Sequence, residues 1–163
     1  MKYITVLRHA TAAESTNLSS DFNRNLTELG KNDVKIVSEQ IAQCLPKIDI
    51  IISSSATRAK DTAEILAQTL NFPANKIRIE DNLYDSTSSC YFDVLLSLPT
   101  TCHHAIFVGH NAEISDFAGL LINKTFDDLK KGEFAHIAVD TFNWNDVDMG
   151  TGKLIKRFDP NKN

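Results

Sequence analysis

Two arginines and two histidines of this chain stand where apolar runs stop. "YITVL" at 3–7 is apolar and β-branched, as buried strands are, and it delivers Arg8 and His9. "IIISSSAT" at 50–57 leads into Arg58, and "AIFVG" at 105–109 leads into His110 and Asn111. Polar groups cost free energy when buried without partners, so a core strand that ends on them has a use for them. Arginine carries a planar fork of donors suited to a dianionic phosphoryl group. A histidine beside it supplies a nucleophile or a proton shuttle. Taken singly, His9 and His110 read as satisfied core or capping histidines, Arg58 as a helix-surface ion pair and Arg24 as a solvated loop charge. Those readings give no reason for the set to gather at strand ends.

The elements that would position these groups alternate along the chain. A strand over about 3–8 is followed by a turn-rich stretch, "TAAESTNLSSDFNRN". Thr27 then caps a helix running to about Leu45, with Val34, Val37, Ile41 and Cys44/Leu45 at helical spacing and Pro46 beyond its end. "IDIIISS" (48–54) reads as a buried strand. "ATRAKDTAEILAQTL" reads as a helix with Ala59, Ala63, Leu66 and Leu70 inward. "KIRIE" alternates as a strand, a short helix covers about 90–98, and "HAIFVGH" (104–110) is strongly apolar. Asn111 is placed to cap the helix "NAEISDFAGLLI", and "FAHIAVDTFNW" and "GKLIKRF" close the chain as an antiparallel pair. This order predicts one α/β domain over 1–163, a three-layer α/β/α sandwich on a largely parallel sheet with an antiparallel edge. Ligands of such sheets bind beyond the carboxyl ends of the strands, where Arg8, His9, Arg58 and His110 would meet two helix N-termini.

With 163 residues, 42% hydrophobic and 23% charged, the chain has the make-up of a globular domain with a sizeable core. A formal charge of −4 gives no general attraction to nucleic acid or to an anionic membrane. No apolar stretch approaches the roughly 20 residues of a membrane span, and Arg8 interrupts the short apolar start that a signal peptide would need. Cys44, Cys90 and Cys102 are odd in number and widely spaced. They read as reduced core thiols of a cytoplasmic protein rather than disulfides or a zinc cluster.

Four segments in order resemble the histidine phosphatase superfamily, whose members include phosphoglycerate mutases. "LRHA" resembles its RHG signature; Ala10 departs at the third position, although RHA forms occur among its short phosphohistidine phosphatases. "DFNRNLTELG" is similar to that subfamily's D-x-x-R-x-L-T-x-x-G, "SSSATRAKDTAEIL" to its S-x-x-x-R-x-x-x-T-A-x-x-L, and "VGHN" to its terminal G-H-N/x. The resemblance implies a phosphoglycerate-mutase-like fold and a nucleophilic His9 that forms a phosphohistidine, later hydrolysed by water. It implies that Arg8, Arg58 and His110 hold the phosphoryl group, with Arg24 adding a contact from the loop. Neither metal nor other cofactor is required, because the guanidiniums supply the positive charge.

Many members of the family also place a glutamate after the third strand to protonate the leaving alkoxide. Here that region reads "EDNLYDSTSSCYFD", where Glu80, Asp81 and Asp85 have no matching position and read as loop carboxylates, with Ser86–Ser89 as helix caps. Imidazole leaves far more easily than an alkoxide, so a missing acid points to phosphohistidine on a partner protein. The short chain suits an open site for such a protruding side chain. Two other readings use the same pocket: a small-molecule phosphomonoesterase with Glu80 or Asp85 as acid, and a non-catalytic phosphoprotein-binding module. A metallohydrolase is disfavoured, because His103 and His104 are neighbours that point opposite ways on a strand.

Overall fold

The computed structural model describes residues 1–15 and 21–162. Residues 16–20 of the turn-rich stretch lie outside the described residues. The elements are β1 (Lys2–Arg8), α1 (Glu28–Cys44), β2 (Ile50–Ser54), α2 (Thr57–Thr69), β3 (Ile77–Glu80), α3 (Ser88–Leu96), β4 (His104–Gly109), α4 (Glu113–Ile122), β5 (Phe134–Val139) and β6 (Gly152–Phe158). The six strands form one sheet in the order β3-β2-β4-β1-β5-β6. The β3-β2-β4-β1 part is parallel, and β5 and β6 add an antiparallel edge.

Alternation along the strands feeds two cores, because successive side chains point to opposite faces. Ile4 and Val6 of β1, with Ile52 and Phe107, pack against Tyr91, Ile114, Phe117 and Leu121 from α3 and α4. On the other face Leu7, Ile51, Ile106 and Val108 meet Val34, Val37 and Ile41 of α1 and Ala59, Ala63 and Leu66 of α2. The α/β/α sandwich expected from the alternation is the architecture found. β4, apolar from Ala105 to Gly109 after His104, is buried at every position and lies at the sheet centre. No described helix is long and apolar enough to cross a membrane.

Local chemistry sets the element ends. Thr27 caps α1, its Oγ1 accepting from the Gly30 amide at 3.0 Å. Several expectations fail at the margins. Cys44 is exposed and Cys90 half-buried, so only Cys102 is a core thiol. Leu70, by contrast, is half-buried at the end of α2 and packs against the core as expected. The N-cap of α3 is Thr87, whose hydroxyl pairs with Ser89 Oγ at 2.6 Å and makes no capping bond. Asn111 does not cap α4, which starts after Ala112 with no side-chain cap; Asn111 is committed elsewhere.

Candidate active site

Register brings the predicted residues to one level. Arg8 of β1 lies opposite Gly109 of β4, and Ser53 of β2 opposite Val108. The three strands therefore end together at Arg8, Ser54 and Gly109, and the residues that follow leave the same sheet edge. The His9 amide donates to the Gly109 carbonyl at 3.0 Å, which ties the two histidine-bearing ends to each other. The rings of His9 and His110 lie 5.1 Å apart, centroid to centroid.

The chain after His9 is held from three sides. The Ala10 amide donates to Thr62 Oγ1 at 3.2 Å. The Thr11 carbonyl accepts from the Thr27 amide at 2.9 Å. Gly30 lets α1 approach it: a Cβ there would meet Thr11 O at 2.1 Å. The Gly132 amide faces the Arg8 and His9 carbonyls at 3.1 and 3.2 Å. With so many partners, the His9 backbone has little freedom to drift.

His9 is 6% exposed. Its Nδ1 lies 2.8 Å from the Ala10 carbonyl, an acceptor only, so the proton sits on Nδ1. Nε2 thus keeps its lone pair and accepts from Arg58 Nε at 3.3 Å. Burial, with the positive charge of His110, Arg58 and Arg8, brings the imidazolium pKa from 6.5 down to about 3 against the opposing bond to Ala10. The ring is a neutral base whose unprotonated nitrogen is held by the Arg58 guanidinium.

Arg58 stands in the first turn of α2, also 6% exposed. Besides His9, its Nη1 donates to the Asp21 carbonyl at 2.8 Å and its Nη2 to Asp21 Oδ2 at 3.2 Å. Arg24 joins through the same carboxylate, Nη2 to Asp21 Oδ1 at 2.8 Å. Tyr84 donates its hydroxyl to Asp21 Oδ2 at 3.1 Å and sets its ring edge-on to His110. His110 Nε2 pairs with Ser54 Oγ at 2.8 Å, whereas its buried Nδ1 has no partner among the described residues. Burial, followed by the nearby Arg58 charge, lowers the His110 pKa to about 4. Arg8 anchors Nη1 on the Leu129 carbonyl at 2.8 Å and leaves its buried Nε unpartnered.

His9, Arg58 and His110 thus converge as the spacing predicts, with Arg8 beside them and Arg24 linked through Asp21. The three candidate acids do not converge with them. Glu80 is paired with Arg78, and Asp81 and Asp85 are exposed. Asp21, Ser54 and Tyr84 complete the cluster and were not singled out in the sequence. Asp21 and Ser54 had a signal, as the first fixed positions of the D-x-x-R and S-x-x-x-R segments; Tyr84 had none. His103 is exposed and His104 buried, and among the described residues no three His, Cys, Asp or Glu side chains gather as a metal site.

The family model of the histidine phosphatase superfamily (branch 1) matches residues 4–86. An uncharacterized protein of Picosynechococcus sp. is 37% identical over 60 residues, which is 37% of this chain and 36% of that one. The chain thus spans little more than a third of the length of that relative. The structure of a putative phosphohistidine phosphatase SixA from Nakamurella multipartitia superposes with a TM-score of 0.85 at 19% identity, covering 99% of this chain and 97% of the other. A putative phosphohistidine phosphatase SixA from Agrobacterium tumefaciens superposes at 0.82 with 22% identity, covering 98% of each chain. At these identities the likeness establishes a shared fold, the phosphoglycerate-mutase-like sandwich.

Proposed function

We propose that this chain, a member of the histidine phosphatase superfamily, is a hydrolase of phosphoryl bonds whose substrate is phosphohistidine on a partner protein and whose nucleophile is His9. The observation that carries the mechanism is the His9 tautomer. Nδ1–H donates to the Ala10 carbonyl, so Nε2 presents a lone pair to phosphorus without waiting for a base. Nε2 attacks, the bond from phosphorus to the substrate imidazole breaks, and that imidazole leaves with the electron pair and takes a proton from water. The hydroxide left by that water then attacks the phosphorus on His9, releasing inorganic phosphate and returning the lone pair to Nε2.

Arg8, Arg58 and His110 hold the equatorial oxygens, with Arg24 as a further contact from the loop. The unpartnered donors fit that role. Arg8 Nε is buried and free, and so is His110 Nδ1. Ser54 Oγ already accepts from the Ala56 amide at 3.4 Å, so its proton is available to His110 Nε2 and leaves Nδ1 as the donor. The guanidiniums supply the charge a metal would, so the reaction needs neither metal nor cofactor.

Substrate choice rests on the proton donor. Asp21 is the one carboxylate among the described residues that is hydrogen-bonded or ion-paired to the cluster, and it is committed to Arg58, Arg24 and the Tyr84 hydroxyl. Arg58 and Arg24 hold its pKa down, overcoming the burial that raises it, so it stays ionised and is a poor acid. An imidazole leaving group tolerates that; an alkoxide does not. The SixA-like fold supports the same reading. Quenching in alkaline detergent during turnover of a 32P-labelled phosphohistidine peptide tests it. A base-stable, acid-labile label should appear on the protein and vanish in His9→Ala. Turnover with no trapped label refutes covalent catalysis, and faster turnover of a sugar phosphate than of phosphohistidine refutes the substrate.

A further inference from the structure

Asn111 follows His110 directly, yet it does not cap α4, and half-buried it is held by two side-chain hydrogen bonds. Its Nδ2 donates to the Leu129 carbonyl at 2.8 Å, and its Oδ1 accepts from Ser115 Oγ at 2.7 Å. Ser115, 1% exposed on α4, accepts in turn from the Leu129 amide at 2.9 Å. Both polar groups of the Leu129 peptide are therefore bonded to one small, buried side-chain unit. The same Leu129 carbonyl is the acceptor for Arg8 Nη1 at 2.8 Å, so its two lone pairs are shared between Asn111 and Arg8.

Residues 125–130 carry no helix or strand, so no ladder of backbone bonds fixes where that carbonyl points. The guanidinium of Arg8 takes its direction from this anchor. With Nη1 tied to Leu129, the buried Nε is left unpaired. We propose that Asn111 and Ser115 are positioning residues that fix the Leu129 carbonyl and through it aim Arg8 at the phosphoryl group. The inference rests on the phosphoryl pocket proposed above. It accounts for an asparagine after His110 that helix capping leaves unexplained, and it makes one dipeptide set both a histidine and, at one remove, an arginine of the pocket.

A double-mutant cycle read by binding of inorganic phosphate, followed by calorimetry, tests this without requiring turnover. Asn111→Ala should weaken phosphate binding roughly tenfold, within the range of couplings inside one hydrogen-bond network. In an Arg8→Ala background the same change should cost less than about twofold, because the group it aims is gone. Asn111→Asp, which keeps the acceptor for Ser115 but loses the donor to Leu129, should behave as Asn111→Ala does. Ser115→Ala carries the same test if Asn111→Ala does not fold, judged by thermal melting. Equal losses in both backgrounds, or no loss in the native background, overturn the positioning role. Absence of phosphate binding by the unaltered protein overturns the pocket itself, and the inference with it.

Discussion

Lowering the pH from 7 to 5 is the sharpest probe of the nucleophile. A histidine with the ordinary pKa of 6.5 is about 97% protonated at pH 5, and a reaction needing its neutral form slows about 25-fold from pH 7. In this fold His9 titrates near 3, because burial first and the surrounding positive charge second disfavour imidazolium. At pH 5 only about 1% of it is then protonated, and nucleophile protonation takes almost nothing from the rate. The sign follows from the direction of the shift: a lowered pKa keeps the reactive neutral form over the whole range between about 3 and 6.5. Nitrogen-15 NMR of histidine-labelled protein measures it directly, with His9 assigned by its loss in His9→Ala. The His9 signals should show a protonated Nδ1 and a bare Nε2 throughout, with no midpoint above pH 4. In parallel, kcat/KM corrected for ionisation of the substrate phosphoryl group should fall less than about twofold from pH 7 to 5. A His9 midpoint near 6.5, or a proton on Nε2, would refute the reasoning, since either removes the lone pair that the geometry assigns to attack.

Other outcomes follow from the same contacts. Arg58→Ala removes the donor at His9 Nε2 and a phosphoryl contact together, and steady-state kcat should drop by roughly 10²–10³, as for loss of an oxyanion donor; a change under fivefold would show that Arg58 is peripheral. Glu80→Gln, Asp81→Asn and Asp85→Asn should each leave phosphohistidine turnover within about twofold, because none of the three touches the cluster; a tenfold loss in any of them identifies a general acid. Gly30→Ala puts a Cβ against Thr11 O and should destabilise the fold by roughly 1–3 kcal/mol in urea titrations, with activity falling as well, because Thr11 adjoins the Ala10 carbonyl that orients His9. Far from the site, His136 shares the Thr5 hydroxyl with His104, and burial reinforced by His104 lowers its pKa to about 4. Its neutral form is the one folding requires, so the share of stability that His136 carries is intact above about pH 6.5 and falls by about 3 kcal/mol as the pH falls to 4, beside separate shares from His9 and His110. His136→Gln should flatten that decline in urea unfolding at the two pH values, and an unchanged pH dependence would refute the assignment.

Much of the architecture was legible because burial writes itself into the sequence. β4 is apolar on both faces because helices cover both faces. Ile4 and Val6 against Leu7 display the two cores in one heptapeptide. Thr27 and Pro46 bracket α1 by local hydrogen bonding and backbone restriction. Where the reading failed, a local rule was overruled by a distant partner. Asn111 has the right type and place for a cap, but the Leu129 carbonyl and Ser115 hydroxyl hold it instead. Cys44 fits the helical stripe, yet it sits at the last residue of the helix, where the stripe runs out into solvent.

The same division holds at the site. The sequence by itself determined that Arg8, His9, Arg58 and His110 gather at one sheet edge, because each follows a strand and parallel strands end on the same side. Only the tertiary structure decided which groups they meet. Asp21 reaches Arg58 across 37 residues, and Ser54 reaches His110 across 56. Those separations carry no periodic signal, and their pairing is fixed by loop closure and strand register rather than by any local preference. The His9 tautomer lies between these cases: the acceptor is the next residue's own carbonyl. Thr62, Gly30 and Gly132 hold that short segment in place, so the orientation of two adjacent residues is set by three distant parts of the chain.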